Sequence, residues 1–183
     1  MANFNKPLKI LLFTISLALL SGAMIGPIYA LFVEGIGGDL LSASITFAAF
    51  AFFAAITTLL TGKLFDDTKD SELILALGYF VLGLGYLLYM FVNSITFLLI
   101  VQAIIGIGTA IYVPAFETVF SKYSSSRKFG SSYEFIKYIA IALGSIIGGF
   151  IGVYFGFKVI FVIMVVLCFA SALYIYKLPK WVL

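Results

Sequence analysis

The 183-residue sequence contains no histidine and only one cysteine, Cys168. A single chain therefore cannot build a histidine-dependent catalytic site, an internal disulfide or a zinc site made of cysteine and histidine. Charged residues are also scarce, at 10% of the chain, whereas a soluble domain carries about 25%. Hydrophobic residues make up 63%. These proportions predict an integral membrane protein.

The few charges also exclude several activities. An intramembrane protease would need a Ser–His pair or two facing aspartates, but histidine is absent and Asp66 and Asp67 are adjacent in a polar segment. The net charge of +3 does not indicate nucleic-acid binding, because the lysines lie at the edges of apolar runs rather than on one face. We expect no enzyme activity, no metal and no cofactor.

Six apolar segments are each near the roughly 20 residues that a helix needs to span a bilayer. They cover residues 8–32, 40–61, 73–91, 95–115, 135–154 and 159–176. The first resembles a secretory signal, but its apolar run is too long for one and five further segments follow it. The sequence thus predicts an all-α protein in one domain, 1–183, with six transmembrane helices.

The distribution of basic residues predicts the orientation. Cytoplasmic segments carry an excess of Lys and Arg in membrane proteins. With the N-terminus inside, the outer loops contain only Lys158 and the fifth span contains Lys137. The inner segments contain Lys6, Lys9, Lys63, Lys69, Lys122, Arg127, Lys128, Lys177 and Lys180. We therefore expect a multi-pass protein of the cell membrane with both termini cytoplasmic.

The spans form two sets of three. An offset of 87 residues places Pro27 on Pro114 and Gly62 on Gly149, and each proline lies near the end of its span. Because each set has an odd number of spans, the second set enters the membrane in the opposite direction to the first. This predicts a 3+3 inverted repeat. Repeat one covers about 8–92 with a loop at 63–72, and repeat two covers about 95–178 with a loop at 117–134. Matching Gly and Pro interruptions indicate a substrate path in transporters, although both residues are common in membrane helices.

The second cytoplasmic loop contains a helix start signal. Ser131 and Glu134 have the spacing of a capping box, which predicts that the fifth helix begins there. Lys137 follows Glu134 by three residues, close to one turn. We expect it to pair with Glu134 or to extend to the membrane surface; a role in gating or substrate binding is the alternative.

Three stretches of the sequence contain motifs: GKLFD at 62–66, QAIIGIGTA at 102–110 and GSIIGG at 144–149. They resemble motifs of the major facilitator superfamily (MFS) of transporters. Gly62, Leu64 and Asp66 match its G-x-L-x-D-R-x-G-R-R loop, with Asp67 in place of the Arg and Lys69 in place of the second Gly. In the fourth span Gly106, Gly108 and Ala110 match R-x-x-Q-G-x-G-x-A, with Gln102 replacing the Arg. In the fifth, GSIIGG at 144–149 resembles the antiporter motif G-P-x-x-G-G. The missing Arg and Pro argue against proton coupling and antiport.

The resemblance covers all six spans and implies an MFS-like half bundle. Family members usually have twelve helices, and alternating access needs two bundles that rock about a central site. We therefore expect a half-size transporter that moves a small neutral or amphipathic solute as a homodimer. The alternative is a non-transporting scaffold, or a subunit that pairs with a different six-helix half.

By analogy with the family, spans one and four line the cavity. The candidate solute-binding residues are Met24, Tyr29, Gln102 and Tyr112. The candidates for gating or coupling are Asp66, Glu117 and Lys137, because ionisable groups near spans are costly and often functional. The resemblance places Asp66 against the start of a partner's fifth helix. There it would act as a latch on the cytoplasmic side; a solvated loop acid is the alternative.

A glycine stripe runs along the fifth span at Gly144, Gly148, Gly152 and Gly156. Small residues at every fourth position let two helix backbones approach closely in lipid. Because the family packs helix five of one half against the other half, we expect this stripe to contact helix two of a second copy. Packing against helix one of the same chain is the alternative.

Overall fold

The computed structural model describes residues 6–65, 70–123 and 127–178. Within these ranges it contains no strand and six helices that are long and apolar enough to cross a membrane. They are α1 (Lys6–Gly35), α2 (Leu40–Phe65), α3 (Ser71–Tyr89), α4 (Ile95–Tyr123), α5 (Arg127–Phe155) and α6 (Phe157–Tyr176). The prediction of an all-α protein with six membrane-spanning helices is confirmed.

The two repeat-related prolines have different local structures. Pro27 lies in a 3-10 turn, Gly26–Ile28, that separates the helical parts Lys6–Ile25 and Tyr29–Gly35 of α1. Pro114 lies inside α4, which continues to Tyr123. Each proline is thus followed by further helical residues of its span, eight after Pro27 (35 − 27) and nine after Pro114 (123 − 114). Neighbouring helices allow a proline inside a membrane helix although it removes one backbone hydrogen bond.

The helices extend beyond the apolar segments on the side of the chain termini. The fifth helix begins at Arg127 rather than at Ser131, and most of the expected loop at 117–134 is helical. Backbone groups still need hydrogen-bond partners outside the apolar layer, and helical turns supply them internally. Lys122, near the end of α4, also forms an ion pair of 3.1 Å with Glu72 at the start of α3.

Helix packing relates the two sets of three helices. α4 packs against α2 and α3, α1 packs against α5 and α6, and α3 packs against α6. If α1 is exchanged with α4, α2 with α5 and α3 with α6, the same pairs of neighbouring helices result. The pattern is the one that an inverted repeat requires, and the repeat itself stays a prediction.

Aromatic rings join three helices at the far side of the bundle, opposite the chain termini. The ring of Phe32 in α1 lies 5.6 Å from Tyr89 in α3 and 5.1 Å from Phe161 in α6. Phe161 also stacks on Tyr89, with centroids 4.9 Å apart. Such pairs contribute about 0.5–1.5 kcal/mol beyond their buried area. This cluster fixes α1, α3 and α6 against one another.

Short polar contacts link α1 to α6 deeper in the bundle. The hydroxyl of Ser21 lies 3.3 Å from the thiol of Cys168. Two turns earlier in α1, the backbone carbonyl of Thr14 accepts a hydrogen bond of 3.2 Å from Ser171. Cys168 is fully buried, so it contributes to packing and not to surface chemistry.

Two helices are much less covered than the rest. Only 11% of the residues in the most apolar stretch of α2 and 17% of those in α5 are buried, against 39% or more in the other four helices. The uncovered side chains on these two helices are mostly large and apolar. α2 and α5 therefore present apolar faces that the chain itself does not cover.

The cap of α2 gives a prediction about pH. Asp39 accepts hydrogen bonds from the backbone N–H and the hydroxyl of Ser42, at 2.7 and 2.6 Å, and these bonds hold the pKa of its carboxyl below the ordinary value of 3.8. A carboxyl with a lowered folded-state pKa stabilises the fold above its unfolded-state pKa, and this contribution is lost as the pH falls through the folded-state pKa. We therefore expect the Tm of the protein in detergent to fall as the pH is lowered through the pKa of Asp39. The fall should be smaller in Asp39→Asn, because asparagine can also cap the helix but does not titrate. Equal pH profiles would contradict this assignment.

Candidate functional site

An open cavity of about 650 Å³ lies between α1, α2, α4 and α5, with α3 at its base. The lining residues on α1 are Ala18, Leu19, Gly22, Ala23, Ile25, Gly26, Pro27, Tyr29 and Ala30. Those on α2 are Ala43, Ser44, Phe47 and Phe50, and those on α3 are Leu82, Tyr86 and Tyr89. Gln102, Ile105, Thr109 and Tyr112 lie on α4, and Ile141 lies on α5. The 3-10 turn at Gly26–Ile28 falls within the lining of α1. The wall is mostly apolar, and its polar groups come from few side chains.

A short hydrogen-bond chain links α1 to α2 at the cavity wall. The hydroxyls of Tyr29 and Thr46 are 2.6 Å apart, and the Thr46 hydroxyl also donates to the carbonyl of Ser42 at 2.8 Å. Since Thr46 has one proton, Tyr29 donates to it, and the oxygen of Tyr29 keeps lone pairs that can accept a further hydrogen bond. Gln102 of α4 also lines the cavity and supplies an amide.

Three of the four predicted solute-binding residues line the cavity. These are Tyr29, Gln102 and Tyr112; their contact with a solute stays a prediction. Met24 does not line it: its side chain is fully buried in the core, and its backbone packs against Gly148 of α5. The placement of Met24 in the cavity is therefore wrong.

Sequence reasoning missed the contribution of α3. Tyr86 and Tyr89 both line the cavity, as does Thr109 on α4, which has no charge or motif to mark it. Tyr79, Tyr86 and Tyr89 recur at seven- and three-residue spacings, which places them near one face of a helix. This tyrosine face of α3 is the sequence pattern that indicates its contribution to the cavity. The family analogy indicates spans one and four instead.

Of the two gating candidates that the structure describes, neither Glu117 nor Lys137 lines the cavity. Lys137 pairs with Glu134, Nζ to Oε2 at 2.7 Å, and its Nζ lies 5.1 Å from the ring centroid of Tyr138. The expected pairing of Lys137 with Glu134 is confirmed. Glu117 is exposed on α4, near the end on the termini side. Asp66 lies outside the described residues, so its role as a latch stays a prediction.

The glycine stripe packs inside the chain. A Cβ on Gly144 would lie 2.5 Å from the carbonyl oxygen of Leu20, and one on Gly148 would overlap the carbonyl oxygen of Met24. Gly152 faces Ile28 at 3.1 Å. The preferred expectation, contact with a second copy, is therefore wrong, and the alternative, packing against helix one, is right: small residues bring α5 onto the backbone of α1.

Gly156 ends the stripe for a different reason. It lies between α5 and α6 with a φ of +80°, and a Cβ there would meet nothing within 4 Å. Glycine adopts this backbone conformation at no steric cost. Gly156 is thus a turn residue that reverses the chain, and its inclusion among the helix-packing glycines is wrong.

The chemistry of the cavity follows from its lining. Among the described residues, no charged side chain lines the cavity; the polar groups are four tyrosine hydroxyls, one threonine hydroxyl, one serine hydroxyl and one amide. In the described parts of the chain, no group of three or more His, Cys, Asp and Glu could hold a metal ion. Aromatic rings and single hydrogen-bonding groups suit an uncharged or amphipathic molecule.

Comparisons with known proteins give matches over most of the chain. The family model of the Major Facilitator Superfamily matches residues 11–180. The uncharacterized MFS-type transporter MJ1560 of Methanocaldococcus jannaschii is 28% identical over 152 residues, 83% of this chain but 39% of that protein. The uncharacterized MFS-type transporter YitZ of Bacillus subtilis is 25% identical over 160 residues, 86% of this chain and 97% of that protein. The chain thus spans less than half of the archaeal relative and matches nearly all of the bacterial one.

Proposed function

The chain belongs to the major facilitator superfamily, and from this membership we propose that it forms half of a secondary transporter. Two copies in the cell membrane, with their termini in the cytoplasm, move a small neutral or amphipathic solute by alternating access. The observation that supports this best is the cavity of about 650 Å³, which is open and has a wall built by five of the six helices.

The chemistry of the solute follows from the cavity wall. Tyr29, Tyr86, Tyr89 and Tyr112 supply rings and hydroxyls, and Gln102 supplies the one amide. A strongly charged solute would lose its hydration without gaining a counter-charge from these residues. A neutral or amphipathic solute loses less and gains stacking and hydrogen bonds.

Pairing of two copies follows from the uncovered helices. The cavity is open, and α2 and α5, which both contribute to its wall, leave apolar faces uncovered. We propose that a second bundle covers these faces and closes the cavity. Since the glycine stripe is used inside the chain, the proposed interface is the opposite face of α5, which includes Leu143, Ile146 and Phe150, against Phe52 and Ile56 on α2 of the second copy. A two-fold axis would repeat this contact in both copies.

This pairing predicts a specific cross-link. Phe52 and Leu143 are both exposed, and each lies twelve residues from the end of its helix at the far side, counted from Leu40 (52 − 40) and from Phe155 (155 − 143). Two differently tagged chains, Phe52→Cys and Leu143→Cys, should therefore form a mixed disulfide in membranes. The buried native Cys168 should not react.

A matched control replaces the first partner with Val166→Cys, which is exposed on α6 away from the proposed interface. It should not cross-link to Leu143→Cys. Equal cross-linking of both pairs, or a monomer mass in lipid nanodiscs, would contradict the homodimer. A mass that contains a different six-helix protein would support the heteromeric alternative instead.

Transport itself needs a direct test. Protein reconstituted into vesicles should take up members of a panel of neutral and amphipathic solutes and should leave inorganic ions and dicarboxylates outside. Empty vesicles and vesicles with a heat-denatured sample are the controls. Uptake of charged solutes alone would overturn the proposed substrate class.

A further inference from the structure

A second concave site lies between α3 and α6. It is a groove of about 590 Å³ lined by Leu73, Ala76, Leu77, Phe80, Phe169, Ala172, Leu173 and Tyr176. It shares no lining residue with the cavity, and the proposed function does not use it. Apart from the tyrosine hydroxyl, every side chain among the described residues that line it is apolar.

The shape of the groove is that of a slot. Ala76 and Ala172 are 5% and 7% exposed and form its floor. Leu77 and Leu173 are each 51% exposed and form walls on either side. From Leu73 to Phe80 the slot extends for about 10 Å along α3, at 1.5 Å per residue. An apolar slot of this length fits part of a linear hydrocarbon chain.

One end of the slot is closed and the other is open. The rings of Phe80 and Phe169 lie 5.4 Å apart and close it toward the middle of the membrane. The open end lies at the start of α3 and the end of α6, which is the side of the chain termini. Tyr176 stands at this open end and is 69% exposed, as is typical of aromatic residues at a membrane surface.

A basic residue lies at the open end. The backbone N–H of Lys177 donates to the carbonyl of Leu173 at 3.0 Å, so Lys177 lies one turn beyond Leu173 on the same face of the helix. Lys177 is exposed and forms no ion pair with any part of the chain that the structure describes. The carboxylate of Glu72, in the first turn of α3, is paired with Lys122. Lys177 therefore brings to the mouth of the groove a positive charge that forms no ion pair among the described residues.

We propose that this groove binds an anionic phospholipid of the leaflet on the termini side. One acyl chain lies in the slot between α3 and α6, and the phosphate of the headgroup contacts Lys177. The occupant must be linear and apolar inside the slot and anionic at its mouth, and an anionic phospholipid has both properties in one molecule.

A second copy of the chain fits this groove less well. A two-fold pairing through α3 and α6 would bring the two Lys177 side chains together at the same depth. Their like charges oppose such an interface, whereas a phosphate neutralises each of them. Charge complementarity therefore favours lipid over protein at this face.

The test measures lipid binding to the purified full-length protein by native mass spectrometry, with phosphatidylglycerol and phosphatidylcholine as probes. Wild-type protein should retain phosphatidylglycerol preferentially. Lys177→Gln should weaken that binding about fivefold, as expected for one lysine at a membrane surface, and should leave phosphatidylcholine unaffected. Ala172→Leu, which fills the floor of the slot, should weaken the binding of both lipids.

Matched controls lie on the same helix. Ala170→Leu makes the same change at an exposed position outside the groove, and Lys158→Gln removes a lysine at the opposite end of α6. Neither should change lipid retention.

If Lys158→Gln weakens phosphatidylglycerol binding as much as Lys177→Gln does, or if the two lipids bind equally to wild type, the proposal is overturned. A stable dimer that Ala172→Leu dissociates would overturn it in favour of a protein partner. Lys177→Gln removes no packing, so the test remains decisive if Ala172→Leu does not fold.

Discussion

Gly148→Ala should strongly destabilise the bundle, whereas Gly149→Ala should be tolerated. A Cβ at position 148 would overlap the carbonyl oxygen of Met24 and lie 2.5 Å from its Cα atom, while a Cβ at position 149 would meet nothing within 4 Å. The obstacle at 148 is backbone, which cannot move aside as a flexible side chain can. Overpacking of this kind costs about 1–3 kcal/mol and occasionally more.

The measurement is the melting temperature of each variant in the same detergent. For a chain of this size, about 3 kcal/mol corresponds to a fall of roughly 6–12 °C in Tm. Gly149→Ala should leave Tm unchanged or raise it slightly, because alanine favours the helix. Equal behaviour of the two variants would show that α5 does not pack against α1 at Gly148. If Gly148→Ala dissociates a dimer but leaves the Tm of the monomer unchanged, the glycine stripe contacts a second copy instead.

The glycine stripe shows what a sequence pattern can and cannot specify. Its four-residue spacing predicts that a backbone approaches α5 closely, and the contacts of Gly144 and Gly148 agree with this. The pattern does not identify which helix approaches, because any helix backbone fits a glycine surface equally well. Only the packing of α1 on α5 distinguishes helix one from a second copy.

The number of helices was predictable because the length and polarity of each apolar run are set by the bilayer. Their ends were less predictable. Polar residues such as Glu72 and Lys122 end the apolar pattern, but they form an ion pair between helices instead of ending the helices. α4 accordingly continues eight residues beyond the expected end of its span, from 115 to 123.

The residues that line the cavity were predictable only in part, because the direction in which a side chain points depends on how its helix packs. Met24 and Tyr29 were both assigned to it from the same helix. In a regular helix five residues correspond to a rotation of about 140°, and the turn at Gly26–Ile28 lies between these two residues. Tyr29 therefore reaches the cavity, whereas Met24 is fully buried in the core.

Replacing Gln102 with leucine should abolish most transport and leave the fold intact. The side chain is 3% exposed and presents the one amide among the cavity-lining residues. Leucine keeps an apolar side chain of similar size there, but it removes two donors and one acceptor. A solute that loses its hydrogen-bond partner in a dry site loses about 1–3 kcal/mol. We therefore expect uptake into vesicles to fall by roughly fivefold to a hundredfold.

Met24→Leu is the matched control for this experiment. It also places a leucine in the membrane-spanning core, but at a side chain that does not line the cavity, and it nearly conserves volume, which cores tolerate well. Its uptake should equal that of wild type, and both variants should keep their Tm within a few degrees. If Gln102→Leu transports as well as Met24→Leu does, the amide of Gln102 does not contact the solute. The path would then have to be sought along the other face of the cavity, at Tyr86 and Tyr89 on α3, where Tyr→Phe variants would test it in the same assay.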